Sequence, residues 1–436
     1  MKMRNLIYGG SMAAVALLMS GCSLRPTGGP VAVQGGRISG NVHGGQQAVT
    51  GASVVLYAAG VTGYGSAATS LLTSATTTDG LGNFSISSKY TCPSATSQLY
   101  IVASGGNPGS GVNANLAMMA ALGDCQNYIG GSQNIVINEL TTVGSVWALA
   151  PFMAGPANIG VAASNLQGLS NAFADVKTLV DVSTGIAPGT ALPSGTVVPL
   201  SELNTLANAL AACINSTGGV AGDTSNCGKL FTATSQGIAP SDTLTAAMLI
   251  AQHPASGVAA IFALGSPASP FQPTLASAPN DFTVAVNFTP GNMSGATAAA
   301  VDAVGNLWIT NGGNNSVTKL SHSGAVLSGT GFTAGLNNPS AIAIDAAGSP
   351  WITNQGSNSV TKLTAAGAQA VGSPYTGGGL NLPRSISFDA TGNAWIANAG
   401  NASVTELSSS GATISGSSGI AGAGLTQPIG VAVTPH

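Results

Sequence analysis

Charged side chains are what this 436-residue sequence lacks most: Asp, Glu, Lys and Arg make up 5% of it, against about 25% in an average soluble domain. The formal net charge of −3 provides no basic surface for nucleic acid. The hydrophobic content of 44% excludes the charge-rich disordered class. Solubility must come from hydroxyl and amide groups, which suits a protein outside the cytoplasm. At this length we expect two or three domains.

Residues that carry chemistry are scarce as well. The sequence contains no Gly-rich phosphate loop, no paired carboxylates and no Gly-x-Ser-x-Gly elbow. It has only four histidines, and its cysteines do not form a CxxC pattern, so a zinc site is not expected. We therefore expect no catalytic residue, no metal and no cofactor.

The N-terminus has the pattern of an export signal. Lys2 and Arg4 precede an apolar stretch, 6–19, which is too short for a membrane span. The segment 18–22 resembles a bacterial lipobox, which implies cleavage before Cys22 and a lipid on its sulfur. We therefore predict a signal peptide at 1–21, a Gly/Pro-rich tether at 22–35 and a membrane partner through the lipid anchor. The expected location is the cell envelope, at the outer membrane if the organism has two; ordinary secretion is the alternative.

Four cysteines remain besides Cys22, namely Cys92, Cys125, Cys213 and Cys227. An even number in an exported protein predicts disulfides. Four cysteines allow three connectivities, and the pairs closest in sequence are favoured, Cys92 with Cys125 and Cys213 with Cys227.

Residues 36–107 are predicted to form a small β-sandwich, because alternating strands and turn glycines follow one another closely. The motifs Gly-x-Val, Gly-Ala-x-Val-x-Leu-Tyr and Thr-x-Asp-Gly-x-Gly-x-Phe occur in this order. Together they resemble the prealbumin-like sandwich of carboxypeptidase-regulatory and collagen-adhesin modules. The resemblance implies a spacer or adhesive stalk. Asp79 is interpreted as the cap of its own turn.

Residues 108–265 change to Ala/Leu-rich segments with apolar spacings of three and four, which predicts an α-helical domain. Glu139 begins one of these segments, and we expect it to cap a helix or join a buried network. Residues 266–281 are predicted to be a Pro-rich linker.

A repeat occupies residues 282–436. The segments 301–311, 344–354 and 388–398 share an Asp-x-x-Gly turn, a tryptophan and an asparagine, and the tryptophans recur after 43 and then 44 residues. Each copy continues into Ser-Val-Thr-Lys-Leu or Ser-Val-Thr-Glu-Leu. A period near 40–50 with four short strands predicts propeller blades. The repeated residues are expected to be structural, with tryptophan between sheets and Asp accepting backbone N–H groups: Asp302, Trp308, Asp345, Trp351, Asp389 and Trp395.

The repeat resembles the NHL and streptogramin-lyase-like β-propellers over about 150 residues. Lyases of that family need histidine and glutamate at the propeller face together with a divalent metal. The repeats here hold only His322, His436 and Glu406, and none recurs at one position in two blades. The resemblance therefore does not carry lyase activity to this chain.

Three full repeats are fewer than the four to eight blades of most propellers. The last strand, 428–433, could close onto 282–288 as a thin fourth blade, the reading frame could be truncated, or the arc could stay open. We favour an incomplete arc of three to four blades, whose free sheet edge would invite pairing.

The fold class predicted is multidomain and mostly β, with an N-terminal sandwich, a central helical domain and a C-terminal partial propeller. Export, lipidation and scarce reactive groups favour a non-catalytic envelope protein that displays the propeller to a protein or glycan. The alternative is a propeller-type lyase or hydrolase that acts on an exported small molecule or sugar.

Overall fold

The computed structural model describes residues 31–87, 90–190, 192–265, 270–422 and 424–433, and these are mostly β. The predicted signal peptide, 1–21, and Cys22 lie outside the described residues. Within these ranges, helices that are both long and apolar enough to cross a bilayer are absent.

The N-terminal two thirds of the chain form a mixed α/β body. Its strands are β1 (Val33–Gln34), β2 (Arg37–Gly44), β3 (Gln47–Ala48), β4 (Ser53–Ala58), β5 (Thr69–Ser70), β6 (Thr76–Thr77), β7 (Asn83–Ile86), β8 (Thr91–Cys92), β9 (Gln98–Ser104), β10 (Ala117–Asp124), β11 (Ser132–Ile137), β12 (Met153–Gly155), β13 (Asn158–Ile159) and β14 (Thr196–Val197). Its helices are α1 (Glu139–Leu149), α2 (Leu166–Leu179), α3 (Leu200–Ile214), α4 (Asn226–Thr234), α5 (Thr243–Gln252) and α6 (Val258–Gly265), with short 3-10 turns at Cys125–Tyr128, Ala150–Phe152 and Ala163–Asn165.

Two sheets organise the body. One has the order β10-β9-β4-β5, with β6 also on β4, and the other joins β11, β2 and β3, with β7 also on β2. Strands β2 and β4 alternate buried and less buried residues along their length, as expected where one face of a sheet covers a core. β11 lies parallel to β2, so the chain crosses over between them.

Strand structure continues past residue 107, where the sequence predicted a change to helices. β10 and β11 belong to the two sheets, and all six helices pack into the same apolar core as the strands. β10 is buried along nearly its whole length, so its run of Ala and Met lacks the alternation that identifies a one-sided strand. Sheets and helices therefore share one core.

Polar side chains cap the starts of α1, α4 and α5. The Asn138 side chain accepts from the backbone N–H of Thr141, whose hydroxyl accepts from Asn138 in return. Asp242 caps α5 by accepting from the backbone N–H and the hydroxyl of Thr245. Such caps satisfy N–H groups that lack partners in the first turn.

Both disulfides join the pairs that the sequence favoured, Cys92 with Cys125 and Cys213 with Cys227. The first links β8 to the end of β10, and the second links α3 to α4. Each closes a loop of modest length and so limits the unfolded chain.

The C-terminal third forms three blades. Their strands are β16 (Ala296–Val301), β17 (Leu307–Asn311) and β18 (Ser316–Leu320) in blade 1, β19 (Pro339–Ile344), β20 (Pro350–Asn354) and β21 (Ser359–Lys362) in blade 2, and β22 (Pro383–Phe388), β23 (Ala394–Asn398), β24 (Ser403–Leu407) and β25 (Ile420–Ala421) in blade 3, preceded by β15 (Asn287–Phe288). In each blade, consecutive strands pair antiparallel, and corresponding repeat positions lie opposite each other in all three blades. Single bridges from Val317 to Phe332 and from Val360 to Tyr375 mark the outermost strand in blades 1 and 2.

Residues 282–288, where the sequence analysis placed the start of the repeat, do not form a strand of a blade. Phe282 is fully buried in the core of the body, and β15 pairs with β14. The ring of Phe288 occupies the place that a Cβ on Gly324 would take, as Phe332 does at Gly367. Phe288 therefore packs on blade 1 as Phe332 packs on blade 2. The remaining contacts with this side of blade 1 come from the body.

Three blades are present in the described residues. The segment 428–433 repeats the Pro-x-x-x-Ala-x pattern that opens blade 2 but forms no strand there. The N–H of Val431 donates to Ser385 Oγ on β22 at 3.2 Å, so this segment lies beside blade 3 and not against residues 282–288.

Candidate functional site

The predicted Asp and Trp residues meet within each blade. In blade 1 the Oδ1 atom of Asp302 accepts from the backbone N–H groups of Val304 and Asn306, at 3.2 and 2.9 Å. Its Oδ2 atom accepts from the indole Nε1 of Trp308 at 3.0 Å. Asp345 and Trp351 repeat the indole contact at 3.0 Å in blade 2. The carboxylate thus closes its turn and fixes the indole.

A lysine completes this cluster in blades 1 and 2. Lys319 Nζ lies 3.7 Å from Asp302 Oδ2 and 4.4 Å from the ring centroid of Trp308. Lys362 Nζ lies 3.0 Å from Asp345 and 4.8 Å from the ring of Trp351. Both distances are within the range of a cation–π contact.

The carboxylates of these clusters are ionised. Burial raises the pKa of Asp345, but hydrogen bonds from the backbone of Ser349, the indole of Trp351 and the ammonium of Lys362 outweigh burial and hold it below its ordinary value. The pKa of Asp302 is also lowered: burial raises it, but hydrogen bonds from the side chain of Asn306 and the indole of Trp308 outweigh burial.

The same lysines connect each blade to the next. Lys319 Nζ donates to the carbonyl of Ala365 in blade 2 at 2.9 Å, and Lys362 Nζ donates to the carbonyl of Ser409 in blade 3 at 3.3 Å. Side-chain hydroxyls make a second connection between neighbouring blades. Thr297 of blade 1 donates to the carbonyl of Pro339 in blade 2, and Ser340 of blade 2 donates to the carbonyl of Pro383 in blade 3.

The tryptophans of blades 1 and 2 are fully buried between blades. The Trp351 ring centroid lies 5.2 Å from that of Tyr375 in its own repeat and 5.6 Å from that of Phe388 on β22, edge to face. Trp308 packs on Phe332 at 5.7 Å. Offset and edge-to-face contacts of this kind add to the free energy gained by burying the rings.

Blade 3 keeps the Asp–Trp contact and loses the lysine. Trp395 Nε1 donates to Asp389 Oδ2 at 2.9 Å, while Glu406 replaces the lysine on the neighbouring strand, directly opposite Trp395. The Asn393 amide donates to Glu406 Oε1 at 3.0 Å, whereas its counterpart Asn306 donates to the Asp of its own blade. Two carboxylates thus flank the indole.

The positions that join blades 1 and 2 to their successors also differ in blade 3. Arg384 replaces the hydroxyl residue and is exposed. Ile420 replaces the aromatic residue, and 44% of its surface is exposed. Trp395 and Val404 are only partly buried, although their counterparts in the other blades are fully buried. This set of residues, Arg384, Trp395, Val404, Glu406 and Ile420 together with Asp389, is called the terminal face.

Hydrogen bonds to the side chain of Thr391 and the indole of Trp395, followed by backbone N–H groups, hold the pKa of Asp389 far below its ordinary value despite the opposing effect of burial. Asp389 therefore carries its charge at neutral pH without a lysine beside it. The terminal face thus places two carboxylates, Asp389 and Glu406, beside a partly exposed indole, and its cation, Arg384, lies at the other end of β22.

A second candidate site lies where the body meets blade 1. His322 Nδ1 and Asp175 Oδ1 are 2.8 Å apart across 147 residues of sequence. They border a half-open pocket of about 180 Å³ whose other walls are mostly apolar and include Trp147, Leu179 and Phe288. Burial raises the pKa of Asp175, although the hydrogen bond and charge of His322 oppose it.

Glu139 is fully buried at the start of α1, where both carboxylate oxygens accept from the backbone N–H of Gly45, at 2.8 and 2.9 Å. Burial raises the pKa of Glu139 to about 7, although hydrogen bonds from the backbone of Gly45 and of Glu139 itself lower it. This geometry agrees with the buried-network role that the sequence indicated.

The six predicted repeat residues thus lie in three separate clusters, one per blade, and do not converge on one site. Among the described residues, no group of three side chains that could hold a metal ion is present. The sequence analysis missed the pairing of Asp175 with His322. The Lys-to-Glu change at Glu406 was visible in the repeat, but the partial exposure of Trp395 opposite it could be seen only in the structure.

The fold and these clusters define a chain in which a partial arc of propeller-like blades is joined to a mixed α/β body. No described protein family matches the sequence, and no curated protein matches it.

Several solved structures resemble part of this chain. A streptogramin B lyase is 20% identical, with a TM-score of 0.26, over 28% of this chain and 40% of that one. A virginiamycin B lyase from Staphylococcus aureus is 19% identical, with a TM-score of 0.26, over 29% and 42%. A putative gluconolactonase is 14% identical, with a TM-score of 0.22, over 27% and 47%. The matched region spans less than half of each structure, and TM-scores this low carry no argument about function.

Proposed function

We propose that this chain is an exported, lipid-anchored protein of the cell envelope that displays its blade arc to bind a protein or glycan and does not catalyse a reaction. The observation that supports binding is the terminal face. Its Trp395 and Val404 are partly exposed and Ile420 is exposed, whereas the same positions in blades 1 and 2 are covered by the following blade. Apolar and aromatic groups at a surface patch are typical of interaction sites.

Two disulfides support export, because they persist in oxidising compartments. Anchoring depends on Cys22. Metabolic labelling with palmitate should label the wild-type chain, and globomycin should block signal-peptide cleavage. Cys22→Ala should remove the label, and labelling that survives this substitution would refute the anchor.

Photo-crosslinking tests the terminal face. A benzoylphenylalanine introduced at Ile420 in the full-length chain should crosslink to a discrete partner in the native host. Val371, which is fully exposed on blade 2, is the matched control and should give no such product. Equal products from both positions would contradict a specific face. A glycan array with the purified protein detects a carbohydrate ligand, and saturable binding there would identify the glycan alternative.

A hydrolase or lyase acting on an exported small molecule or sugar is the second candidate, because Asp175 and His322 pair at the edge of an apolar pocket. In such a pair the carboxylate fixes the imidazole tautomer, and the other ring nitrogen can accept a proton. Turnover of ester or glycoside reporter substrates by the wild type, and not by His322→Ala or Asp175→Asn, would favour the enzyme over the display protein.

A further inference from the structure

We propose that the terminal face binds a primary ammonium group, such as the end of a lysine side chain on a partner, between Asp389, Glu406 and the indole of Trp395. This inference rests on the proposed binding role of that face and names the chemistry of its partner.

The chain itself shows what such a cluster holds. In blades 1 and 2 the equivalent Asp and Trp surround a lysine ammonium, with carboxylate distances of 3.7 and 3.0 Å and ring distances of 4.4 and 4.8 Å. Two copies of one motif in one molecule thus bind the same chemical group. Blade 3 preserves the acceptors but not the cation, because the lysine position is Glu406.

Charge points in the same direction. Exchange of lysine for glutamate replaces one positive charge with a negative one beside a carboxylate that stays ionised. The Glu406 carboxylate is held by the Asn393 amide at 3.0 Å through one oxygen, so its position next to Trp395 is defined. Carboxylates and an aromatic face together favour an organic cation over an anion or a neutral sugar.

Access also differs between the blades. The internal ammonium groups are enclosed by the turn of the next blade, whose carbonyls, from Ala365 and Ser409, accept from them. At blade 3 the segment 428–433 lies beside β22 through the contact of Val431 with Ser385, but it forms no blade in the described residues, and Trp395 and Glu406 stay partly exposed. A lysine from another protein can therefore approach the position that Lys319 and Lys362 occupy internally.

The primary ammonium is preferred over a quaternary one because the internal examples use N–H donors, toward a carboxylate and a carbonyl. A group without N–H atoms could make only the cation–π contact. We expect weak binding of an isolated amine, since exposed ion pairs and cation–π contacts each contribute little.

The test uses the full-length chain, labelled with 5-fluorotryptophan and purified in mild detergent, and follows ¹⁹F NMR during titration with N-acetyl-lysine methylamide. Trp395→Phe assigns its resonance among those of Trp147, Trp308 and Trp351. We expect a saturable shift at Trp395 alone. Glu406→Gln should weaken binding several-fold, and Glu406→Lys should abolish it because the variant fills the site as blades 1 and 2 do.

Tetramethylammonium and Na⁺ serve as competing probes, and Glu202→Gln, on α3 in the body, is the control variant that should leave the titration unchanged. A Trp395 shift that is absent, that survives Glu406→Lys, or that tetramethylammonium or Na⁺ reproduces equally would overturn the proposal. A crosslinked partner at Ile420 together with a failed amine titration would leave the display role intact and remove only the ammonium site.

Discussion

Blades 1 and 2 and blade 3 share a backbone plan but differ at the surface toward the next blade. Trp308 and Trp351 are fully buried, while Trp395 is partly exposed. Blade 3 has Glu406 at the position of the internal lysines. It has the exposed Arg384 at the position of Thr297 and Ser340. The difference teaches that repeated residues need not have repeated roles, because a position that joins blades inside the arc becomes solvent-facing at its end.

The other end of the arc is finished differently. Blade 1 is covered by the body: the Asn171 amide donates to the carbonyl of Val304 at 3.0 Å, and Asp175 pairs with His322. His322 corresponds to Ala365 and Ser409, the residues whose carbonyls receive a lysine from the preceding blade. Helix α2 therefore replaces a preceding blade, whereas the described residues beside β22 of blade 3 are the segment 428–433, which forms no strand there.

The tryptophans provide the strongest test of this comparison. Trp351→Ala should lower the free energy of unfolding by about 3 to 5 kcal/mol, because it leaves a cavity between two blades. Trp395→Ala should cost about 1 to 2 kcal/mol, since its ring is only partly covered. Urea denaturation of both variants measures the difference, and equal losses would show that Trp395 is packed as tightly as Trp351.

The internal ion pair should produce the next largest effect. Lys362→Met leaves the largely buried Asp345 without its cation and should cost about 1 to 3 kcal/mol at pH 7. The pKa of Asp345 is lowered in the fold, so its contribution is present above the unfolded pKa near 4 and is lost as pH falls through the folded pKa. The gap between wild type and variant should therefore shrink in acid.

Stability measured by urea denaturation at pH 7 and pH 3 checks this sign. Glu406→Met is the matched change in blade 3 and should alter stability little at either pH. A gap that stays constant between the two pH values would indicate that Lys362 acts through packing of its aliphatic stem and not through Asp345.

The sequence predicted the parts of this comparison that depend on local spacing. The 43- and 44-residue period identified the blades and their Asp–Trp residues, because the packing of each unit repeats the same side chains. The disulfide pairs also followed from short separations. The structure confirms these pairings and the mostly β character of the chain.

Contacts between distant segments could not be predicted in the same way. β10 is buried on both faces, so its Ala/Met run carried no period-two signal. Residues 282–288 have a strand-like pattern, but their partner β14 lies about 90 residues earlier. Neither Asp175 nor His322 has a local motif that indicates the other, since polar residues on a helix are usually solvent-exposed.

The hydroxyl connection between blades predicts a smaller effect. Ser340 Oγ donates to the carbonyl of Pro383 at 2.7 Å and lies 2.8 Å from the hydroxyl of Thr353. Ser340→Ala should destabilise the protein by about 1 kcal/mol, the usual cost of one such hydrogen bond. Arg384→Ala, at the equivalent position of blade 3, should change stability by less than about 0.5 kcal/mol. A larger effect for Arg384 would mean that it makes a contact essential to the fold.

The smallest expected effect comes from making blade 3 resemble the other two. Glu406→Lys places an ammonium beside Asp389 and over Trp395, and it should raise the unfolding midpoint slightly, by less than Ser340→Ala lowers it, because the new pair is partly exposed. The gain should diminish in high salt, which screens exposed charges. Thermal unfolding at low and high ionic strength measures both. Lys362→Glu, the reverse exchange in blade 2, should be clearly destabilising, since it places two carboxylates together under the next blade; equal effects from the two exchanges would remove the distinction between inner and terminal blades.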